Sequence, residues 1–159
     1  MTVSSDDFKR ALGCWATGVT IVTARAGDRI HGMTVSAFTE VSLEPPLVLF
    51  CAEKSSNTLP LILEGGVFAV NVLARDQHAL SNKFASKEDE WKRFEGLDYD
   101  SGSTGAPLLR GTTANLDCEV ATTHDHGDHV VIVGSVREAR SSERAPLLYF
   151  CGRYGGFRE

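Results

Sequence analysis

The stretch IHGMTVSAFTEVSLEPPLVLFC, residues 30–51, decides the architecture. Ile30 to Phe38 reads as a strand, and from Gly32 to Leu43 small hydroxyl and apolar residues alternate along extended backbone. Glu44-Pro45-Pro46 breaks the pattern, since proline gives the ladder no donor. Leu47 to Cys51 is a continuous apolar run, the pattern of a strand buried on both faces. Upstream, β-branched Val19 to Ala24 and the turn Ala26-Gly27-Asp28-Arg29 make a hairpin with the strand from Ile30. Before that, Ser4 to Asp7 offers helix caps, and Phe8, Leu12 and Trp15 follow at helical spacing.

Downstream, Ser55 to Thr58 supplies caps for a short helix over Leu59 to Leu63 that stops at Gly65-Gly66. Val67 to Leu73 is strand-like. Asp76 to Trp91 mixes helical spacing with charge, with Leu80 and Phe84 one turn apart. Residues 96–106, GLDYDSGSTGA, read as a surface loop. The strands 114–122, 130–137 and 146–151 complete the chain. Six or seven strands with two or three short helices point to a mainly β, antiparallel barrel with helical excursions, in one domain over residues 1–159.

Composition excludes several classes. The 159 residues carry 16 Lys+Arg against 21 Asp+Glu, a net charge of −5, which argues against binding nucleic acid by phosphate neutralisation. No apolar run approaches a membrane span, and the N-terminus has no secretory pattern, so a cytoplasmic location is expected. Cys14, Cys51, Cys118 and Cys151 form no CxxC pair and read as free thiols. There is no GxGxxG, no GxxxxGK[ST] and no GxSxG, which leaves Rossmann, P-loop and hydrolase-elbow chemistry without their motifs.

Four segments carry candidate chemistry. Gly32 to Leu43 could offer hydroxyls and backbone amides on one face to a planar ligand, or could be an ordinary strand with a wet face. Lys54-Ser55-Ser56-Asn57-Thr58 joins a buried strand to a helix start, where free N–H groups favour phosphate; a plain helix cap is the alternative. Thr123 to His129 contains His124, His126 and His129 in an HxHxDH pattern typical of metallo-hydrolases. Here the pattern lies late, is followed by a strand, and has no further His or Asp after it. The other reading is a hairpin turn with exposed His124 and His126 that delivers His129 to a ligand. Tyr149 to Phe157 brings aromatics, glycines and Arg153, suited to a stacking wall or to a frayed terminus.

Taken in order, FKR at 8–10 with ATGVTIVT at 16–23, GMTVSAF at 32–38, VSLEPPLV at 41–48, SNT at 56–58, FAVNVL at 68–73, FA at 84–85, GDH at 127–129 and GRY at 152–154 resemble the short-chain flavin reductase family. These are the reductase components of two-component flavin-dependent monooxygenases. The resemblance implies an FMN-binding split β-barrel, antiparallel and Greek-key-like, assembled as a homodimer. It implies that Thr34, Val35, Ser36 and Ala37 line the isoalloxazine, and that Cys51 and Ala52 lie beside the ring or ribityl chain. Ser55, Ser56, Asn57 and Thr58 meet ribityl and phosphate, and Lys83, Phe84 and Ala85 complete that side. His129 and Tyr154 meet the nicotinamide nucleotide, His129 as the catalytic candidate, with no metal. The implied activity is hydride transfer from NADH or NADPH to FMN or FAD, with reduced flavin passed to a separate monooxygenase. A flavin-binding module without turnover, or a metal-dependent hydrolase through His124, His126 and His129, are the alternatives.

Overall fold

A computed structural model describes residues 2–158. The chain runs α1 (Ser5–Gly13), β1 (Thr17–Gly18), β2 (Thr20–Ala26), β3 (Arg29–Val35), β4 (Phe38–Leu43), β5 (Pro46–Glu53), α2 (Thr58–Gly65), β6 (Val67–Val72), α3 (His78–Ala85), β7 (Tyr99–Ser101), β8 (Pro107–Leu109), β9 (Ala114–His126), β10 (His129–Ser141), β11 (Leu147–Phe150) and β12 (Arg153–Gly156). Seven strands form an antiparallel sheet in the order β3-β2-β6-β9-β10-β5-β4. A small sheet β1-β11-β12 and the pair β7-β8 complete it.

The strand order forces the shape. β3 and β4 are opposite edges of the large sheet, yet only Ser36 and Ala37 separate them. Laid flat, seven strands at about 4.8 Å per step would hold those edges roughly 29 Å apart. The three Cα steps from Val35 to Phe38 reach at most roughly 11 Å. The sheet therefore rolls into a barrel, left unladdered along the seam between β3 and β4. One backbone bond, from the Cys51 amide to the Ala37 carbonyl at 3.0 Å, carries the β4–β5 ladder one residue into the crossover. The continuous strand expected from Gly32 to Leu43 is thus two strands. The chain crosses from one edge to the other at Ser36-Ala37, where both residues are exposed, and a bulge between Glu40 and Ser42 interrupts the alternation in β4.

Inside the barrel lie Val22, Phe50, Phe68, Val70 and Ile132, with Leu59 and Ile62 of α2 packed against them. Each such side chain contributes roughly 1.5–3 kcal/mol by leaving water. The Phe50 and Phe68 rings meet edge to face at 5.0 Å. Phe68 fits because residue 134 is glycine: a Cβ there would stand 2.3 Å from the Phe68 ring. The apolar run at Leu47 to Cys51 is not buried on both faces. Val48, Phe50 and Ala52 are buried while Leu47, Leu49 and Cys51 are half-exposed, because an antiparallel barrel wall has one inner face.

A second core joins Val19, Ile21, Leu73, Phe84, Leu109 and Leu147, and so ties α3 and β11 to the barrel wall. Asn71 is the buried polar hub. Its amide donates to the Ile21 carbonyl and Thr23 Oγ1, and its Oδ1 accepts from the Leu109 amide and Asn115 Nδ2. Four bonds satisfy it fully, so its burial stabilises instead of costing.

Two further expectations are corrected. Residues 96–106 are not simply a surface loop. Tyr99–Ser101 pairs with Pro107–Leu109, and Ala106 and Leu108 are buried. Asp117, fully buried on β9, gathers the segment by accepting from Ser103 Oγ, the Thr104 amide and Thr104 Oγ1. Likewise His124 and His126 are not turn residues. β9 and β10 pair to their ends, with His126 opposite His129 and only Gly127-Asp128 between them. β-branched Thr122, Thr123, Val130 and Val131 carry the ladder on to the turn. Among the described residues, no helix is long and apolar enough to cross a membrane.

Candidate functional site

A cleft of about 420 Å³ opens where the barrel seam, the N-terminus of α2 and the C-terminus of α3 meet. The end of β3 brings Met33, Thr34 and Val35, and the crossover brings Ser36 and Ala37. β5 contributes Cys51 and Glu53, the β5–α2 corner Ser55, Ser56 and Asn57. Phe84 and Ala85 close it from α3, and His129 stands at the start of β10.

Local chemistry sets each wall. Thr34 Oγ1 donates to the Ser81 carbonyl at 2.6 Å, which fastens the floor strand to α3. Phe84 lies directly over β3 because residue 32 is glycine; a Cβ at that position would come within 2.8 Å of the ring. At the corner, Ser56 Oγ accepts from the Thr58 amide at 3.1 Å and donates toward Met33 Sδ at 3.0 Å. The first turn of α2 carries no acidic side chain, so no carboxylate of that helix opposes its dipole at this end.

His129 is half-buried, with Nδ1 2.7 Å from Asp128 Oδ1. That bond, with the imidazole's charge, holds the Asp128 carboxyl below the usual range. The Lys54 amide donates to the Asp128 carbonyl at 2.9 Å, so the β9–β10 turn is tied to the end of β5 and His129 is held at the cleft rim.

At the other end, three side chains meet. Glu90 Oε2 lies 3.2 Å from Asn57 Nδ2, 3.3 Å from Arg93 Nη1 and 3.5 Å from His31 Nε2. Arg93 is 5% exposed; it donates to the Gly32 carbonyl at 2.7 Å and the Ser86 carbonyl at 2.5 Å. His31 Nδ1 is 2.7 Å from Thr58 Oγ1. Burial, then the Arg93 charge, lower the His31 pKa, with Glu90 opposing. The two ring nitrogens thus face Thr58 and Glu90.

Eleven of the residues named from the sequence therefore share one cleft: Thr34, Val35, Ser36, Ala37, Cys51, Ser55, Ser56, Asn57, Phe84, Ala85 and His129. Four do not. Ala52 points into the barrel core, since strand alternation gives it the face opposite Cys51. Thr58 is buried behind the corner, against His31. Lys83 reaches the Glu95 carbonyl at 2.9 Å, and Tyr154 bonds Ser81 and Asn82 on the far side of α3. Sequence reasoning missed Met33, Glu53, Lys87, Glu90 and Arg93. The cue for the last three was the charge run SKEDEWKR at 86–93, which reads equally as a solvated face. Among the described residues, no three His, Cys, Asp or Glu gather in a metal-holding group.

Comparison with known proteins gives this geometry a context. The family model described as the flavin reductase like domain matches residues 12–158. The FMN reductase (NADH) SmoA of Agrobacterium fabrum is 42% identical over 154 residues, covering 97% of this chain and 87% of that protein. The flavin-dependent monooxygenase reductase subunit HsaB of Mycobacterium tuberculosis is 40% identical over 152 residues, 94% of this chain and 80% of its own. The crystal structure of the Streptomyces globisporus NADH:FAD oxidoreductase SgcE6, in complex with NAD and FAD fragments, superposes with a TM-score of 0.90 at 34% identity, covering 99% of this chain and 97% of that one.

Proposed function

The chain belongs to the flavin reductase-like family, and from that membership we propose that its cleft seats a flavin for reduction by NADH. The carrying observation is the convergence, on one seam of a split antiparallel barrel, of Thr34 to Ala37, Cys51, Ser55 to Asn57, Phe84 and Ala85. The residues fit such a group. An extended strand end suits a flat ring, hydroxyls and an amide suit a ribityl chain, and the carboxylate-free first turn of α2 suits a phosphate. Bound flavin, FMN or FAD, supplies the hydride-accepting chemistry, with NADH as donor. The protein's own contribution is placement, and near-attack alignment of two rings can supply on the order of 7–11 kcal/mol. Phe84 and Val35 exclude water from the buried side, while the half-buried His129 stands where a second nucleotide would enter.

The reading extends to assembly. The domain over residues 1–159 works as one unit and hands reduced flavin to a separate monooxygenase, as the name of the related HsaB subunit implies for that protein. A homodimer is supported by apolar side chains left in water: Leu43 and Val41 beside the seam, and Phe8, Leu12 and Trp15 on and after α1. A cytoplasmic site of action accords with four free cysteines. The test is the absorbance of NADH and NADPH mixed with protein and FMN or FAD. Flavin-dependent loss of the nicotinamide band is expected with NADH. Flavin binding without turnover would make the protein a binding module, and absence of both would end the reading.

A further inference from the structure

We propose that the Glu90 carboxylate is a built-in stand-in for the phosphate of the flavin, occupying the anion subsite of the cleft and setting preference between phosphorylated and unphosphorylated flavins. The inference rests on the flavin reading above and concerns how that site is filled. Three groups from three elements come within 3.5 Å of one oxygen: Asn57 at the corner before α2, which donates to it, and, at ion-pair distance, His31 on β3 and Arg93 after the turn that carries Glu90 itself. Asn57, Glu90 and Arg93 all line the cleft. A convergence of amide, imidazole and guanidinium is an anion site by chemistry, and Arg93 is anchored for it by the Gly32 and Ser86 carbonyls.

The occupant is lightly held, whereas its donors are not. Glu90 opens a three-residue 3-10 turn, and the residue before it, Asp89, has a left-handed φ of 50°. Its contacts at 3.2–3.5 Å are long for charge-assisted bonds. A phosphate brings more charge and three strong acceptor oxygens, so it outcompetes one carboxylate for the same donors. The two anions cannot share the subsite, because like charges at contact repel. Phosphorylated flavin therefore displaces Glu90 toward solvent, and riboflavin, lacking the phosphate, leaves it in place.

Glu90→Gln tests this in the intact protein, with dissociation constants for FMN and riboflavin measured by quenching of flavin fluorescence. The neutral amide is expected to tighten FMN on the order of tenfold and to leave riboflavin unchanged. Inorganic pyrophosphate should compete with FMN more strongly in the variant. Glu90→Asp, which shortens the reach, should shift FMN in the same direction and guards against a folding defect in the first variant. Equal weakening of both flavins, or an unchanged FMN-to-riboflavin ratio, would show that Glu90 only pins its turn and would overturn the stand-in alone. A wild-type protein that binds neither flavin would overturn the flavin reading as well.

Discussion

The Tyr154 hydroxyl lies 2.9 Å from Ser81 Oγ, and the Ser81 carbonyl accepts from Thr34 Oγ1 at 2.6 Å. Tyr154 also donates to Asn82 Oδ1 at 2.8 Å. A C-terminal hairpin residue is thus linked through α3 to the floor of the cleft. Tyr154→Phe keeps the ring and deletes the bonds. It should raise KM for flavin roughly three- to tenfold, the loss of about 1 kcal/mol of hydrogen bonding, with KM for NADH unchanged. A rise in KM for NADH alone would instead restore Tyr154 as a nicotinamide contact.

His129, half-buried at the start of β10, shares the cleft with the residues proposed to seat the flavin. His129→Ala should raise KM for NADH by more than it weakens flavin binding. Steady-state kinetics with each substrate varied in turn separate the two, and flavin affinity lost with KM for NADH unchanged would contradict the assignment.

Asn71 joins β2, β6, β8 and β9 through four bonds. Asn71→Ala leaves the Leu109 amide without its acceptor and takes one of two from Asn115 Nδ2. Denaturant unfolding should show a loss of about 3 kcal/mol with an unchanged slope.

His31 gives the fold an acid sensitivity. Burial lowers its native pKa from 6.5, whereas the unfolded chain titrates near that value. As pH falls through the unfolded pKa the unfolded state takes up a proton that the native state refuses, so stability drops. His31→Gln should flatten the decline in melting temperature between about pH 7 and about pH 5.5. An unchanged decline would place the sensitivity elsewhere.

Thiol chemistry should sort the cysteines by place. Burial, with the Asp117 charge beside it, pushes the Cys118 thiol up to about 12. A thiol reagent at mildly alkaline pH should modify exposed Cys14 and Cys151 quickly and leave Cys118 untouched until unfolding. Cys51 lines the cleft, and saturating FMN should slow its modification. Labelling read by peptide mass spectrometry checks all four.

Much of this was legible in the residues. β-branched and apolar runs located β2, β5, β6, β9 and β10, and the Ser55 to Asn57 corner stood out because a plain cap needs fewer hydroxyls. Local pattern could not show that the chain switches edges at Ser36-Ala37: the adjacent apolar Ala37 and Phe38 mark only a one-residue slip of phase, and the global strand order reveals the crossing. The segment at 96–106 was misread because its anchor, Asp117, is distant in sequence. Tyr154 was misplaced for the reverse reason: its neighbours in sequence suit a stacking wall, but its hydroxyl finds Ser81 and Asn82 first. Arg93 escaped notice because a buried guanidinium looks, in sequence, like any charge in a polar run.

The two-residue crossover has a consequence for how the protein is born. Val35 and Phe38 belong to opposite rims, and those rims are brought round only when β10 has inserted between β5 and β9. A ribosome-bound chain that has not yet emerged beyond residue 129 holds most of the ligand-facing residues and no place for a ligand. Its maturation ends in a long-range annealing step of the slow kind, and flavin present during synthesis can reward only the finished article.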